Sequence, residues 1–153
     1  DEDLLDNNTW PVYKTGRGGQ YTYHGPGQRV IYVMLDLKER GNDLRLFVRN
    51  LENWLIETLK PFGITGECRN ERIGIWVNTQ EGEKKIASLG IRIRKWISYH
   101  GIAINLNPDL KNFNGIVPCG LSNYKMTSFE DLGVLVNKDE LDNILKINFP
   151  KYF

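Results

Sequence analysis

The middle third of the chain constrains the fold most, because three strand-like segments follow one another there in close succession. They span residues 73–78, 84–96 and 97–106. Gln80-Glu81-Gly82 provides the turn between the first two. In the second, Ile91 and Ile93 alternate with Arg92 and Arg94, which is typical of a sheet with one solvated face. The pattern predicts an antiparallel sheet.

Two helices are predicted, one before and one after these strands in the sequence. Asn42 or Asp43 can cap the first. Its apolar residues keep the three-four spacing of one helical face, at Leu44, Phe47, Val48, Leu51, Leu55 and Leu59. Pro61 and Gly63 end it. The second begins at a capping box, Asn137 with Glu140, ahead of the apolar positions Leu141, Ile144 and Leu145.

Shorter strands are predicted at residues 12–13, 20–24, 29–37 and 64–68. The apolar run 30–35 suggests a buried strand. Together the segments predict an α+β domain with a mostly antiparallel sheet and helices covering one face.

Composition limits the classes of function. The 153 residues suit one domain, 1–153, and no apolar run approaches the roughly 20 residues that cross a bilayer. A net charge of +1 gives no strong overall field for binding nucleic acid. The two cysteines are too few for the disulfide framework of a small secreted domain, so we expect a cytoplasmic, reducing location.

Cys119 is the stronger of the two candidate nucleophiles. Pro118 fixes the backbone before the sulfur, and Gly120 leaves room for a substrate carbonyl after it. The alternative is a small buried hydrophobe, which most free cysteines are. Cys68 lies in a strand-like run without neighbours that indicate catalysis.

Lys85 follows Lys84 after a turn and has two interpretations. The pair could form a solvated charged patch at a hairpin mouth. Alternatively, Lys85 activates a thiol. A free thiol with a pKa of about 8.5 is mostly protonated at pH 7, and a nearby ammonium favours the thiolate that attacks acyl groups.

Other polar residues leave alternatives open. His24 and His100 are general-base candidates, or they complete a turn or a core hydrogen bond. No metal partner stands at ligand spacing, which argues against zinc. The glycine-rich segment 16–20 precedes strand-like residues, so it indicates close approach to a ligand or a tight hairpin rather than a nucleotide site. Arg92 and Arg94 suit RNA or a solvated strand face.

Three motifs, taken together, carry a family resemblance. They are Arg17-Gly18-Gly19-Gln20-Tyr21-Thr22-Tyr23-His24-Gly25-Pro26-Gly27-Gln28, then Lys85-Ile86-Ala87-Ser88-Leu89-Gly90-Ile91-Arg92, and then Tyr99-His100-Gly101 running on to Pro118-Cys119-Gly120. Their order, spacing and content resemble the lipoyl(octanoyl) transferases, the lipoate-protein ligase B family. The resemblance covers nearly the whole chain from Leu4 onward. Family members carry further residues before that position, so we expect the N-terminal part of the domain to be missing.

The resemblance implies an acyltransferase of lipoate biosynthesis, with the α+β catalytic domain shared by biotin and lipoate ligases. It implies transfer of an octanoyl group from octanoyl-acyl carrier protein to a lysine of a lipoyl domain, without a cofactor or metal. The implied acceptors are the lipoyl domains of 2-oxoacid dehydrogenases and the glycine cleavage H protein. Neither nucleic acid nor a membrane is an implied partner.

The resemblance also assigns residue roles. The acyl-thioester cysteine corresponds to Cys119, and the companion lysine that lowers the pKa of that thiol corresponds to Lys85. The substrate contacts correspond to Arg17, Gly18, Gly19, Gln20, Tyr21, Thr22, Tyr23, His24, Ser88, Leu89, Gly90, Gly101, Ile102 and Ala103.

Physical chemistry adds expectations about the substrate. Burying a methylene is worth about 0.8 kcal/mol, so about six of them contribute roughly 5 kcal/mol to an octanoyl chain in a fitted apolar tunnel. Leu89, Ile102 and Ile104 are candidate tunnel walls or core residues. Backbone N–H groups near Gly120 or in the 17–20 loop are candidates for an oxyanion hole. Arg92 and Arg94 could also meet an acidic carrier protein.

Two other functional classes fit parts of the sequence. One is an ATP-dependent lipoate or biotin-type ligase on the same fold, which forms an adenylate and needs no cysteine nucleophile. The other is a non-catalytic module that binds an acyl carrier or RNA.

Overall fold

The computed structural model describes residues 3–6, 8–117 and 124–153. Its centre is a five-stranded sheet of β1 (Gln28–Tyr32), β2 (Ile75–Thr79), β3 (Gly82–Arg94), β4 (Ile97–Asn105) and β5 (Lys125–Met126). The first four pair antiparallel in the order β1-β4-β3-β2. The short β5 adds a parallel pair to β3, opposite Lys84 and Lys85. The mostly antiparallel sheet is confirmed.

The long strand β3 connects the parts of this sheet. Its first residues pair with β2, from Thr79 opposite Gly82 to Ile75 opposite Ala87. Its later residues pair with β4, from Ala87 opposite Ile104 to Arg94 opposite Ile97. The strand β3 therefore holds the side chains near residue 85 at a fixed distance from those near residue 90.

The turn between β3 and β4 differs from the prediction that strands would meet directly at residue 96. Lys95 and Trp96 both have positive φ, 51° and 66°, and form a two-residue hairpin turn. Glycine and asparagine are the usual residues for this backbone conformation. Because neither is present, the sequence carried no turn signal there.

The first helix, α1 (Leu44–Leu59), forms as predicted. The side chain of Asp43 accepts a hydrogen bond from the Leu46 backbone N–H at 2.9 Å and caps the N-terminus. Pro61 follows the helix, and Gly63 ends the next short 3-10 turn with φ of 73°. Leu44 is the exception on the predicted apolar face, since it is exposed at the first turn.

The second helix, α2 (Lys138–Asn148), begins after Asn137, whose side chain accepts from the Asp139 backbone N–H at 2.8 Å. It packs against α1, where the Trp54 indole N–H donates to the Leu145 carbonyl at 3.0 Å. Both helices contribute to one core with the sheet, through residues such as Leu51, Leu55, Leu141, Leu145, Ile75, Ile86, Ile102 and Ile104. The predicted helical layer is confirmed.

Several predicted strands are wrong. Residues 12–13 and 20–24 form no strand, and residues 64–68 contribute only a single bridge from Glu67 to Trp76. The predicted buried strand at 30–35 is neither continuous nor fully buried. β1 ends at Tyr32, and Val30, Tyr32 and Met34 are exposed. The apolar run therefore alternates between the core and a second, open face of the sheet.

Candidate active site

A loop spanning residues 16–24 lies against the open face of β3. The backbone N–H of Gly18 donates to the carbonyl of Ile91 at 2.9 Å. The Arg17 guanidinium donates to the carbonyls of Gly18 and Gln20 at 3.1 and 2.7 Å. These bonds hold the loop in place without strand pairing, which explains why no strand forms here.

Glycine in β3 allows this close approach. A Cβ added at Gly90 would lie 3.1 Å from Cδ of Arg17 and 3.5 Å from the carbonyl oxygen of Gly18. The absent side chain therefore leaves the room that Arg17 and the loop occupy. The motifs at 17–24 and 85–92, far apart in sequence, meet at this point.

The loop and the sheet enclose a cleft with about 520 Å³ of space free of protein atoms, part of which is open to solvent. Most of the predicted substrate contacts line it: Arg17, Gly18, Gly19, Thr22, His24, Ser88, Leu89, Gly90, Gly101, Ile102 and Ala103. Strand register explains the grouping, since Ser88 lies opposite Ala103 and Gly90 lies opposite Gly101.

Three predicted contacts, Gln20, Tyr21 and Tyr23, do not line the cleft. The carbonyl of Gln20 accepts from Arg17. The Tyr23 hydroxyl accepts from the Asn112 side chain at 3.0 Å, and its ring packs edge-on against Phe113. Gln20 and Tyr23 thus contact the loop and its support.

Three lining residues were not predicted as substrate contacts: Val30, Tyr32 and His100. The apolar run that contains Val30 and Tyr32 suggested burial, whereas register places them opposite Ala103 and Gly101 on the open face. Their alternation with the core residues Ile31 and Val33 was the signal that could have revealed this. Ile104, a candidate wall, is fully buried in the core instead.

The two histidines differ in their surroundings. His24 Nδ1 lies 3.1 Å from the side-chain oxygen of Gln28. Desolvation, with a smaller effect from the Arg17 charge, holds the pKa of His24 below its usual value, so its imidazole is neutral at pH 7. His100 has a positive φ of 62° inside β4, and its ring lies 6.3 Å from the Tyr32 ring. Such backbone strain in a non-glycine residue often occurs at functional sites.

Lys85 is buried at the far end of β3, with 2% of its surface exposed. On the sheet it lies between Trp76 of β2 and Met126 of β5. Its Nζ is 5.4 Å from the centre of the Trp76 ring. A Cβ added at Gly74 would overlap Cε of Lys85 and lie 3.0 Å from Nζ. Gly74, at φ of 134°, therefore makes room for this lysine.

Cys119 and Gly120 lie outside the described residues. Val117 precedes that segment and donates its backbone N–H to the Asp3 carbonyl at 2.8 Å. Tyr124 follows it and packs edge-on against Trp76, with 5.2 Å between ring centres. The chain thus resumes beside the indole that contacts Lys85.

Cys68, the other cysteine, is exposed. Partial desolvation of the sulfur, together with the Glu52 carboxylate, raises the pKa of Cys68 to about 11. The thiol is therefore protonated at neutral pH, and a protonated thiol is a poor nucleophile.

Among residues 3–6, 8–117 and 124–153, no cluster of three or more histidine, cysteine, aspartate or glutamate side chains is placed to hold a metal ion. In the same part of the chain, every helix is too short or too polar to cross a membrane.

Structural neighbours share this fold at low sequence identity. A bipartite lipoate protein ligase from Thermoplasma acidophilum superimposes with a TM-score of 0.68 at 19% identity, covering 90% of this chain and 55% of its own. Biotin protein ligase from Aquifex aeolicus gives a TM-score of 0.59 at 19% identity, covering 82% and 52%. This chain thus spans just over half the length of these solved chains, and the match identifies the fold alone.

Sequence comparison goes further. Residues 1–149 match the model of the lipoyl protein ligase A/B catalytic domain. The octanoyltransferase of Wolbachia pipientis subsp. Culex pipiens is 56% identical over all of this chain and 75% of its own length. That of Paramagnetospirillum magneticum is 56% identical over 99% of this chain and 72% of its own length. The chain therefore belongs to the lipoyl protein ligase A/B catalytic domain family, and within that family to the octanoyltransferases.

Proposed function

We propose that this chain transfers an octanoyl group in lipoate biosynthesis, carrying it as a thioester on Cys119 with Lys85 as the cation that keeps the sulfur reactive. The burial of Lys85 is the observation that carries this proposal. Lysine is rarely buried, because removing an ammonium from water costs several kcal/mol that other contacts must offset. A lysine held at 2% exposure beside a glycine that makes room for it indicates a specific role.

The cleft suits the acyl chain. Its walls include the apolar Val30, Leu89, Ile102 and Ala103, and the loop at residues 16–24 covers one side. Lys85 precedes Ser88 by three residues on β3, which is roughly 10 Å of extended strand. An octanoyl chain in the cleft therefore has its reacting end within reach of the Lys85 end of the sheet.

The proposed reaction has two balanced steps. The Cys119 thiolate attacks the thioester carbonyl of the donor, a new carbon–sulfur bond forms, and the donor thiolate leaves with a proton from Lys85. The acceptor amine then attacks the Cys119 thioester, an amide forms, and Lys85 takes the proton that the amine loses. The dyad returns to its starting state, and its protonation belongs to the pair rather than to either residue.

The proposed partners are those that the family resemblance implies. Octanoyl-acyl carrier protein is the proposed donor, and lipoyl domains of 2-oxoacid dehydrogenases and the glycine cleavage H protein are the proposed acceptors. An acidic carrier would meet Arg92, which packs over Gly16 at the loop, and the exposed Arg94 two residues further along β3. We propose one catalytic unit for residues 1–153 and a reducing cytoplasm, where a thiolate persists.

The test is a transfer assay with octanoyl-carrier protein and an apo lipoyl domain, without ATP. We expect amide formation on the acceptor lysine, and its loss in Cys119→Ala. Transfer that requires ATP and free octanoate, and that persists in Cys119→Ala, would identify an adenylate-forming ligase instead. Absence of any transfer, with Cys119 unreactive to alkylation, would indicate a binding module.

A further inference from the structure

Arg72, which the proposed mechanism does not use, contacts both aromatic rings next to Lys85. Its guanidinium carbon lies 4.6 Å from the centre of the Trp76 ring and 4.2 Å from that of Tyr124. The two rings also contact each other edge-on. The Trp76 indole N–H donates to the Arg72 carbonyl at 2.9 Å. Arg72 therefore holds Trp76 through its backbone and through its side chain.

Glu83 orients the Arg72 guanidinium from the other side. Nη2 of Arg72 donates to Glu83 at 2.7 Å, and Arg69 forms an ion pair with the other oxygen of the same carboxylate. Hydrogen bonds from Arg72 and then Arg69 hold the pKa of Glu83 below its usual value, so the carboxylate is charged at neutral pH. The second terminal nitrogen of Arg72, Nη1, is buried without a hydrogen-bond partner among the described residues. The contacts with the two aromatic rings offset the cost of burying this nitrogen.

These contacts reach Lys85 on one side and Tyr124, which follows residues 118–123 in the chain, on the other. Trp76 is 1% exposed and lies within 5.4 Å of Lys85 Nζ, while Tyr124 is the first described residue after the segment that contains Cys119. We infer that Arg72 is a positioning residue: it fixes the indole of Trp76 against Lys85 and clamps Tyr124 to the same indole. The inference rests on the proposed function for its consequence, since a displacement of either group by about 1 Å slows a transfer reaction by up to roughly a hundredfold.

Arg69 provides a matched control. It shares the Glu83 carboxylate and also pairs with Glu67, and within the described part of the chain its guanidinium contacts these carboxylates and the Cys68 carbonyl rather than the rings. If the arginines only stabilise the Glu83 network, Arg72→Gln and Arg69→Gln should have equal effects. If Arg72 positions the rings, only Arg72→Gln should alter the reaction.

The experiment measures two quantities for each variant: the rate of Cys119 alkylation by iodoacetamide as a function of pH, without acyl substrate, and kcat for octanoyl transfer. We expect Arg72→Gln to move the alkylation midpoint to higher pH and to lower kcat by roughly tenfold to a hundredfold. Arg69→Gln should keep both values, with a comparable change in the thermal unfolding midpoint. Equal profiles for the two variants would overturn the inference.

Tyr124 supplies a second pair in case Arg72→Gln fails to fold. Tyr124→Leu removes the ring and should shift the alkylation profile as Arg72→Gln does, whereas Tyr124→Phe restores the ring and should rescue it. A Tyr124→Leu profile equal to that of the unchanged protein would count against the inference. Alkylation needs no octanoyl donor, so these comparisons decide the role of Arg72 even if the unchanged protein forms no acyl-enzyme and the proposed function fails.

Discussion

Two adjacent lysines on β3 have different surroundings. Lys84 is oriented toward carboxylates, with Nζ 3.0 Å from Glu81 and 3.4 Å from Asp131. The hydrogen bond to Glu81 holds the pKa of Lys84 above its usual value. Lys85 is oriented toward the Trp76 ring and the space left by Gly74. Lys84 fits the charged-pair interpretation of the hairpin mouth, whereas Lys85 does not.

This difference supports the proposal that Lys85, rather than Lys84, takes part in the reaction. The carboxylates of Glu81 and Asp131 form ion pairs with Lys84 and offset its charge at the protein surface. Lys85 is 2% exposed and lies beside the Trp76 ring, where its charge acts more strongly on a nearby group than it would in water. Strand geometry produces the contrast, since successive side chains point to opposite faces.

The largest expected effect comes from replacing Lys85, and the same replacement at Lys84 is its control. Lys85→Met should raise the pKa of the Cys119 thiol by about 1–3 units and lower transfer at pH 7 by roughly a hundredfold or more. Lys84→Met should leave kcat unchanged. Alkylation and transfer rates measured from pH 5 to 10 check both. An unchanged alkylation profile in Lys85→Met would break the distinction between the two sides of β3.

A smaller effect is expected from filling the space beside Lys85. Gly74→Ala places a methyl group on Cε of Lys85 and adds backbone strain at φ of 134°, so we expect kcat to fall by roughly tenfold. Gly82→Ala is the matched control, because Gly82 also has positive φ, 105°, but has no atom within 4 Å of the added Cβ among the described residues. Both variants should lose about 1–3 kcal/mol of stability by denaturant unfolding. Equal kcat values would show that Lys85 tolerates displacement.

The smallest expected effect concerns the cysteine that the proposal leaves unused. With a pKa of about 11, only about one Cys68 in a thousand is a thiolate at pH 8, so its alkylation should be slow there and should rise with pH toward 11. Cys68→Ser should not change kcat. Peptide mapping after brief iodoacetamide treatment at pH 7.5 should find the label on Cys119. Label on Cys68 at that pH would show that the two thiols do not differ as proposed.

Local patterns predicted much of the fold. The cap at Asp43, the spacing of α1 and the alternation around Ile91 are short-range signals that depend on neighbouring residues. The strand predicted at 20–24 was wrong because a hydrogen bond from Gly18 to Ile91, a residue distant in sequence, holds the loop instead. The turn at Lys95 and Trp96 was missed because the residues there are not those that favour positive φ.

Predictions about the site divide in the same way. The motifs identified the residues that meet in the cleft, because strand register brings Ser88 opposite Ala103 and Gly90 opposite Gly101. Sequence spacing could not show that Gly74 makes room for Lys85, since that relation depends on how β2 lies beside β3. The contact of Arg72 with Tyr124 was also missed, because the two lie on separate segments that meet only in the folded chain.

The most direct test of the Cys119–Lys85 proposal is intact-protein mass spectrometry after incubation with octanoyl-carrier protein and no acceptor. We expect the unchanged protein and Lys84→Met to gain the mass of one octanoyl group, on the peptide that contains Cys119 and removable by neutral hydroxylamine. Lys85→Met should gain it much more slowly. An octanoyl group on Cys68 or on a lysine, or no added mass while transfer to the lipoyl domain proceeds, would contradict a thioester on Cys119.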